Sequence, residues 1–333
     1  MGGSMQTILI TGGAGYIGSH IVKLLGERGY NILVYDNLSS GHEWAVLFGR
    51  LIRGDILDFA GLSRVFNEND IAAVIQLAAY ISVPESIQQP LEYYLNNVSG
   101  TINLLKVMGE YGVSKMIFSS SAAVYGIPPH TPVNETSELR PINPYGRSKA
   151  MVEQVLQDLS NARDFKYVAL RYFNVAGADP GGSIGEGKED AAHLITASVR
   201  TAVGKKAFLN IYGNDYPTRD GSCVRDYIHV EDLAYAHLLS LEHLLEGGDS
   251  RIYNCGYGHG YSVLEVMETV RRVTGAPIPV RQLERRKGDP PELVADTKRI
   301  KAELHWRPLH DDLEDIVETA WRWELKYQSK TLK

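Results

Sequence analysis

The chain has 333 residues, 44% of them apolar, and a net charge of −6 from 34 basic and 40 acidic side chains. That length exceeds the needs of one small core, so one large domain or two lobes are expected. The acidic balance argues against general binding to nucleic acid or to anionic membranes, though it leaves room for a local basic pocket. No run approaches the roughly 20 apolar residues of a membrane span, no signal peptide is visible, and two cysteines, Cys223 and Cys255, make neither a disulfide framework nor a metal clip. A cytoplasmic location is therefore expected. Met1 to Ser4 read Met-Gly-Gly-Ser, which we expect to be a cloning remnant ahead of a natural start at Met5.

Gln6 to Ile10 predicts a short strand. It runs into Thr11-Gly12-Gly13-Ala14-Gly15-Tyr16-Ile17-Gly18 and an amphipathic helix to about Arg28. Asn31 to Tyr35 is a second strand closed by Asp36, and Leu51 to Arg53 a third closed by Gly54-Asp55. Ala72 to Leu77 is a fourth and Lys115 to Ser119 a fifth, with a helix from about Leu91 to Tyr111 between them. Tyr145 to Asn161 reads as a helix and Tyr167 to Arg171 as a further strand. Strands alternating with helices predict an α/β fold, a Rossmann-type doubly wound parallel sheet.

After Asn174 the pattern changes. A turn-rich run from Asp179 to Gly187 leads to helical patterns near His193–Val203, Glu231–Leu245, Val263–Val273 and Leu313–Tyr327, separated by loops rich in Gly, Pro and Asp. We expect a nucleotide-binding domain over residues 5–175, with later segments returning to it, and a smaller α/β lobe over 176–330.

Gly12-x-x-Gly15-x-x-Gly18 follows a strand and opens a helix. Gly12 permits the tight turn, Gly15 lets the backbone approach a pyrophosphate, and Gly18 allows close helix–strand packing. The helix N-terminus at Tyr16 and Ile17 attracts the anion. Asp36 ends the second strand at the distance suited to ribose hydroxyls, and its carboxylate repels a 2′-phosphate. No arginine follows, only Asn37 and Leu38, so NAD is favoured over NADP. Asp55 and Ile56 close the third strand where an adenine could sit; an ordinary turn aspartate is the competing reading.

Ser119-Ser120-Ser121 ends the fifth strand, and Tyr145-x-x-x-Lys149 follows on a helix. Spacing of four puts the phenol and the ammonium on one face. A lysine beside a tyrosine favours the phenolate and makes the tyrosine a base near neutral pH. Together with a nicotinamide, these groups suggest alcohol oxidation.

The glycine pattern, the serine cluster and Tyr145-x-x-x-Lys149 resemble the extended short-chain dehydrogenase/reductase family. Leu91 to Val98, Ser119 to Gly126, Arg171-Tyr172-Phe173-Asn174, Tyr212 to Thr218 and Val224-Arg225-Asp226-Tyr227-Ile228-His229-Val230 are similar to its UDP-hexose 4-epimerases, over essentially Gln6 to Trp323. The resemblance implies interconversion of UDP-glucose and UDP-galactose by inversion at C4, through a transient 4-keto sugar and enzyme-bound NADH. It implies Tyr145 as the base, Ser121 as its hydrogen-bond partner, and Lys149 on the nicotinamide ribose. It adds Leu77, Ala78, Ala79, Asn96, Ser119, Tyr172 and Phe173 to the cofactor contacts.

For the substrate the resemblance implies Arg225 and Arg286 on the diphosphate, a task suited to the arginine fork. Asn174 and Tyr227 add hydrogen bonds, Asp289 accepts from the uridine ribose, Asn210 and Tyr212 border the uracil, and His193 lines the pocket unless it is a surface histidine. Leu293 occupies the position that limits room for a 2-N-acetyl group; leucine is intermediate in size, so activity on UDP-N-acetylglucosamine and UDP-N-acetylgalactosamine is expected. Ala122 and Ala123 stand where dehydratases of the family carry an acid, which argues for epimerisation. Ile81 stands where some members carry a lysine, so one cofactor contact is lost.

The histidines show no metal-ligand spacing, and no metal is expected. Apolar stripes at Leu104, Leu105, Met108 and at Met151, Val155, Leu159 combine core packing with the helix pair through which relatives dimerise, so a homodimer is expected. The competing readings are another NAD-dependent nucleotide-sugar epimerase acting on UDP-pentoses or UDP-uronates, a net reductase, and a non-enzymatic NAD sensor.

Overall fold

Continuous apolar runs mark the central strands, as they must in a parallel sheet covered on both faces. In the computed structural model, which describes residues 6–189, 193–286 and 289–331, these runs are β1 (Thr7–Thr11), β2 (Asn31–Asp36), β3 (Arg50–Arg53), β4 (Ile71–Gln76), β5 (Lys115–Ser119) and β6 (Lys166–Tyr172). Met1 to Met5 and Lys287-Gly288 of the basic loop lie outside the described residues, and with them the expected remnant and start.

The six strands pair in parallel in the order β3-β2-β1-β4-β5-β6, and β11 (Arg251–Cys255) joins beside β6. This is the doubly wound arrangement, and the strand order reverses between β1 and β4. The crevice at that reversal lies between Gly12, which follows β1, and Leu77-Ala78, whose N–H groups both bond to the Thr11 carbonyl at 3.0 and 3.1 Å.

Helices cover the sheet: α1 (Tyr16–Glu27), α2 (Phe59–Glu68), α3 (Val83–Gln88), α4 (Pro90–Tyr94), α5 (Gly100–Glu110) and α6 (Pro144–Ala162). Leu9, Leu33, Val74, Met116 and Phe118 of the sheet share a buried core with Leu62 and Phe66 of α2, Leu104 and Met108 of α5, and Val152 and Leu156 of α6. Each such side chain contributes about 1.5–3 kcal/mol by leaving water. The stripe at Leu104, Leu105 and Met108 is therefore spent on the chain's own core, at 0%, 5% and 0% exposure. Of the second stripe, Val155 and Leu159 pack partly against this core and Met151 is exposed.

Two elements depart from the sequence reading. The stretch from Leu91 to Tyr111 is not one α-helix: a π-helical turn, Leu95–Ser99, separates α4 from α5. The wide turn accommodates Asn96 and Asn97, both buried. The Asn97 side chain accepts from the Tyr80 N–H at 2.8 Å and donates to the Tyr80 carbonyl and the Ser148 hydroxyl at 3.0 and 3.1 Å. The sequence reading also passes over α2, which Asp58 caps by accepting from the Gly61 N–H.

Contacts divide the chain into two compact units, the first comprising residues through Gly126, Leu139–Arg171 and Ala234–Tyr253, the second Ile127–Glu138, Tyr172–Leu233 and the chain from Asn254. In the second, β7 (Asn174–Ala176) pairs in parallel with β10 (Tyr227–His229). After α7 (Leu194–Ala202), β8 (Leu209–Tyr212) pairs with β13 (Val280–Leu283), and β9 (Val224–Arg225) lies between β12 (Tyr261–Ser262) and β14 (Glu292–Leu293). The remaining helices are α8 (Val230–Leu245), α9 (Val263–Thr274), α10 (Lys298–Glu303) and α11 (Leu313–Thr331). Strands of two to four residues carry too little periodicity to be read from sequence, which is why this half looked helical.

Candidate active site

The glycine loop is built for close approach. Gly12 has φ +73°, and a Cβ there would sit 2.6 Å from the Ala78 nitrogen. A Cβ on Gly18 would lie 2.2 Å from the Gly12 carbonyl oxygen, so this glycine seats the helix on the loop itself rather than on a strand. Gly13, which the sequence reading left aside, is the one that packs on the strands, facing Val34 and Ile10. A Cβ on Gly15 would meet only the Gly12 carbonyl at 3.4 Å, so that side of the loop is open. The α1 ladder starts with Ser19 donating to Gly15 at 2.9 Å, and the N–H groups of its first turn precede it. This open backbone at a helix N-terminus fits a dinucleotide diphosphate.

Asp36 is 8% exposed and accepts from the Ala14 N–H at 3.0 Å and the Leu38 N–H at 2.8 Å. Each carboxylate oxygen keeps a second acceptor position for a ribose hydroxyl. Asp55 takes the turn role, accepting from the Leu57 N–H at 2.8 Å and from the Asn37 amide at 2.9 Å. Ile56 is buried, its Cδ1 2.6 Å from where a Cβ on Gly100 would stand.

Asn143 caps α6 by accepting from the Gly146 N–H at 2.8 Å, and Pro144 opens its first turn. Gly146 lets the helix approach the turn Ala122–Tyr125, since a Cβ would lie 2.5 Å from the Ala123 carbonyl oxygen. Tyr145 and Lys149 share the buried face with Val152 and Leu156. Core packing thus fixes the rotation of the helix and aims the phenol and the ammonium at the end of β5. Tyr145 hydrogen-bonds to the Ser121 hydroxyl, which also accepts from the Ala123 N–H at 3.2 Å. Lys149 Nζ donates to the Ser119 carbonyl at 2.7 Å.

Here the electrostatics differ from the sequence expectation. Lys149 Nζ is 5.9 Å from the Tyr145 ring centroid and directs one of its three N–H donors to the Ser119 carbonyl. Burial pushes the Tyr145 phenol above its ordinary value, and the Ser121 hydrogen bond pulls the other way. Burial also pushes Lys149 down to about 7, against the charge of Glu153. In a dry site desolvation outweighs a neighbouring lysine that points elsewhere.

The residues expected on the sugar nucleotide lie in the second unit. Tyr172 ends β6, and the Phe173 N–H donates to the Cys255 carbonyl at 3.1 Å. Asn174 pairs with Tyr227, and Arg225 is flanked in register by Tyr261 and Leu293. Asp226, between Arg225 and Tyr227, was quoted in the sequence without a role. It is fully buried and accepts from the N–H groups of Tyr257, Gly258 and Ala295 at 2.8, 3.0 and 3.1 Å, tying three segments together. Asn210 and Tyr212 lie on β8. The Arg286 guanidinium stacks 3.7 Å over the Tyr212 ring, and the Asp289 N–H donates to the Arg286 carbonyl at 3.3 Å. His193 stands exposed one residue before α7. Among the described residues no His, Cys, Asp and Glu group could hold a metal ion, and no helix is long and apolar enough to cross a membrane.

The profile of the NAD dependent epimerase/dehydratase family matches residues 8–256. A UDP-glucose 4-epimerase of Lacticaseibacillus casei is 47% identical over 319 residues, 96% of each chain. A UDP-glucose 4-epimerase from Brucella ovis, solved in complex with NAD, is 45% identical with a TM-score of 0.93 and covers 95% of this chain and 98% of its own. The UDP-Glc/GlcNAc 4-epimerase of Campylobacter jejuni is 44% identical with a TM-score of 0.84, covering 96% and 99%. By glycine loop, sheet order, serine–tyrosine–lysine cluster and full-length similarity, the chain belongs to the NAD dependent epimerase/dehydratase family, in its UDP-glucose 4-epimerase group.

Proposed function

We propose that this chain interconverts UDP-glucose and UDP-galactose by inversion at C4, with NAD as its resident cofactor. The observation that carries the reading is the buried Tyr145 phenol hydrogen-bonded to Ser121, in a chain 47% identical to a UDP-glucose 4-epimerase. The first unit holds the cofactor: Gly12, Gly15 and the α1 start at Tyr16, Ile17 and Gly18 take its diphosphate, and Asp36 takes the adenosine ribose. Asn37, Asp55, Ile56, Leu77, Ala78, Ala79, Asn96, Ser119, Tyr172 and Phe173 are the remaining cofactor contacts. NAD supplies reversible uptake of the C4 hydrogen with its electron pair.

Tyr145 removes the proton from the sugar 4-hydroxyl, and Ser121 fixes the phenol's direction and shares that proton. Lys149 holds the nicotinamide ribose. Arg225, Arg286, Asn174 and Tyr227 hold the diphosphate, Asp289 the uridine ribose, and Asn210 and Tyr212 the uracil, while His193 lies at the pocket margin. The 4-keto sugar turns about its diphosphate link and takes the hydrogen with its electron pair back on the other face of C4 and a proton from Tyr145 back on its C4 oxygen, so nothing is oxidised overall. Ala122 and Ala123 offer no acid to expel a C6 hydroxyl. The test is Tyr145→Phe: epimerisation of UDP-galactose should fall at least about 10²-fold, and a near wild-type rate overturns the assignment.

A second substrate class is supported by Leu293, which is buried beside Arg225 in the ladder, and by similarity to the UDP-Glc/GlcNAc enzyme. Turnover of UDP-N-acetylglucosamine alongside UDP-galactose is expected; none, with robust UDP-galactose turnover, removes it. We also infer a homodimer through the helix pair α5 and α6, next to which Leu91 of α4, Leu95 of the π-helical turn and Met151 of α6 are 78%, 48% and 46% exposed; light scattering at monomer mass would refute it. The free, buried Cys223 and Cys255 fit a reducing cytoplasm.

A further inference from the structure

We propose that Glu153 is a positioning residue for the reacting groups: a buried carboxylate, one helical turn beyond Lys149, that pins the middle serine of the 119–121 segment. This rests on reading Ser121, Tyr145 and Lys149 as the reacting side chains.

Tyr145, Lys149 and Glu153 recur at intervals of four, so they form one line along the buried face of α6. Glu153 and Arg171 of β6 are each 3% exposed. The Arg171 Nη2 donates to Glu153 at 2.6 Å, its Nε to both carboxylate oxygens at 3.0 and 3.2 Å, and its Nη1 to the Tyr125 hydroxyl at 2.9 Å. The Ser120 hydroxyl donates to the same carboxylate, and the Ser120 N–H donates to the Leu170 carbonyl at 2.9 Å. Alternation along an extended chain turns Ser120 away from Ser119 and Ser121. The carboxylate therefore grips this segment from behind. On the other side, the Ser119 carbonyl accepts from Lys149 and the Ser121 hydroxyl donates to the Tyr145 phenol oxygen.

Stability alone gives little reason for this arrangement. A buried ion pair is often no better than apolar side chains of the same volume, because both charges lose their water. Its location suggests another reason. Lys149 is driven towards its neutral form by burial, and Glu153 is the charge that opposes this. Facing the Glu153 carboxylate from other elements are the Ser120 hydroxyl and, on β6, Tyr167 and Arg171, with Tyr125 of the turn after β5 held by Arg171. Of these only Arg171 is charged, and it is paired with Glu153.

The experiment measures UDP-galactose epimerisation by the purified NAD-loaded protein from pH 6 to 10, for wild type, Glu153→Gln, Glu153→Asp, Ser120→Ala and Tyr145→Phe. Glu153→Gln should lower kcat about tenfold with KM changed less than about twofold. It should also shift the alkaline limb of the kcat profile down by about one pH unit, and Glu153→Asp should restore that limb. Ser120→Ala, which deletes one hydroxyl, should lower kcat about threefold. A folded Glu153→Gln protein with wild-type kcat and pH limb overturns the proposal. Should that variant not fold, a wild-type kcat of Ser120→Ala does so. Activity surviving in Tyr145→Phe refutes the functional reading instead; its loss there alone refutes only the role given to Glu153.

Discussion

Alanine placed at each glycine of the loop separates the fold's needs from the ligand's. At Gly12, φ +73° costs an alanine about 1–2 kcal/mol, and its Cβ 2.6 Å from the Ala78 nitrogen adds about 1–3 kcal/mol of overlap against backbone that cannot yield. Gly12→Ala should thus lose about 2–5 kcal/mol. Gly18→Ala meets the Gly12 carbonyl at 2.2 Å and should lose about 1–3 kcal/mol, offset in part by better helix propensity. Gly15 has φ −76° and open space beside it. There alanine gains about 0.4–1 kcal/mol from a less flexible unfolded chain and loses a similar amount as a poor helix cap. Gly15→Ala should therefore fold like wild type while its methyl fills the side where the diphosphate binds. Urea unfolding of NAD-free protein gives the stabilities, and NAD released by acid from purified protein gives the occupancy. A Gly15→Ala variant as unstable as Gly12→Ala, or one that keeps wild-type NAD, would falsify this account of the loop.

Lys149→Met should stabilise the NAD-free protein in a pH-dependent way. With the folded lysine at about 7 and the unfolded one at 10.5, the cost of burying its charge is fully present below pH 7. That cost fades as pH rises to 10.5, because the unfolded state then binds more protons than the folded state. The gain in thermal stability should be largest at pH 6, with a ceiling of roughly 5 kcal/mol, and should shrink by pH 10; a gain constant with pH refutes the buried-ammonium argument. Arg286→Ala removes an exposed guanidinium held over Tyr212. KM for UDP-galactose should rise about tenfold or more at unchanged melting temperature, and an unchanged KM would remove Arg286 from the substrate site.

Much of this protein was legible because its signals are local. The glycine spacing, the carboxylate closing β2 and the tyrosine–lysine interval each span fewer than about thirty residues, and backbone geometry converts such intervals directly into shared faces and turns. The continuous apolar runs announced a parallel sheet for the same reason. What stayed hidden depends on partners far apart in sequence. Asn97 meets Ser148, and Arg171 meets Glu153, only once α5, α6 and β6 pack on the sheet. Asp226 looked like a spectator beside Arg225 until the segments at Tyr257 and Ala295 closed on it.

The sequence by itself determined which functional groups exist and which of them share an element: a dinucleotide loop, a carboxylate at the second strand's end, and a serine, a phenol and an ammonium in reach of one strand. Only the tertiary structure decided their direction and surroundings. It turned Lys149 towards the Ser119 carbonyl, gave Tyr145 to Ser121, and enclosed both so that burial, rather than the neighbouring lysine, dominates their ionisation. The reason is that solvent exclusion is a property of the whole packed core. No stretch of chain carries its own dielectric, so a spacing of four residues sets where two groups stand but not which of them holds the proton.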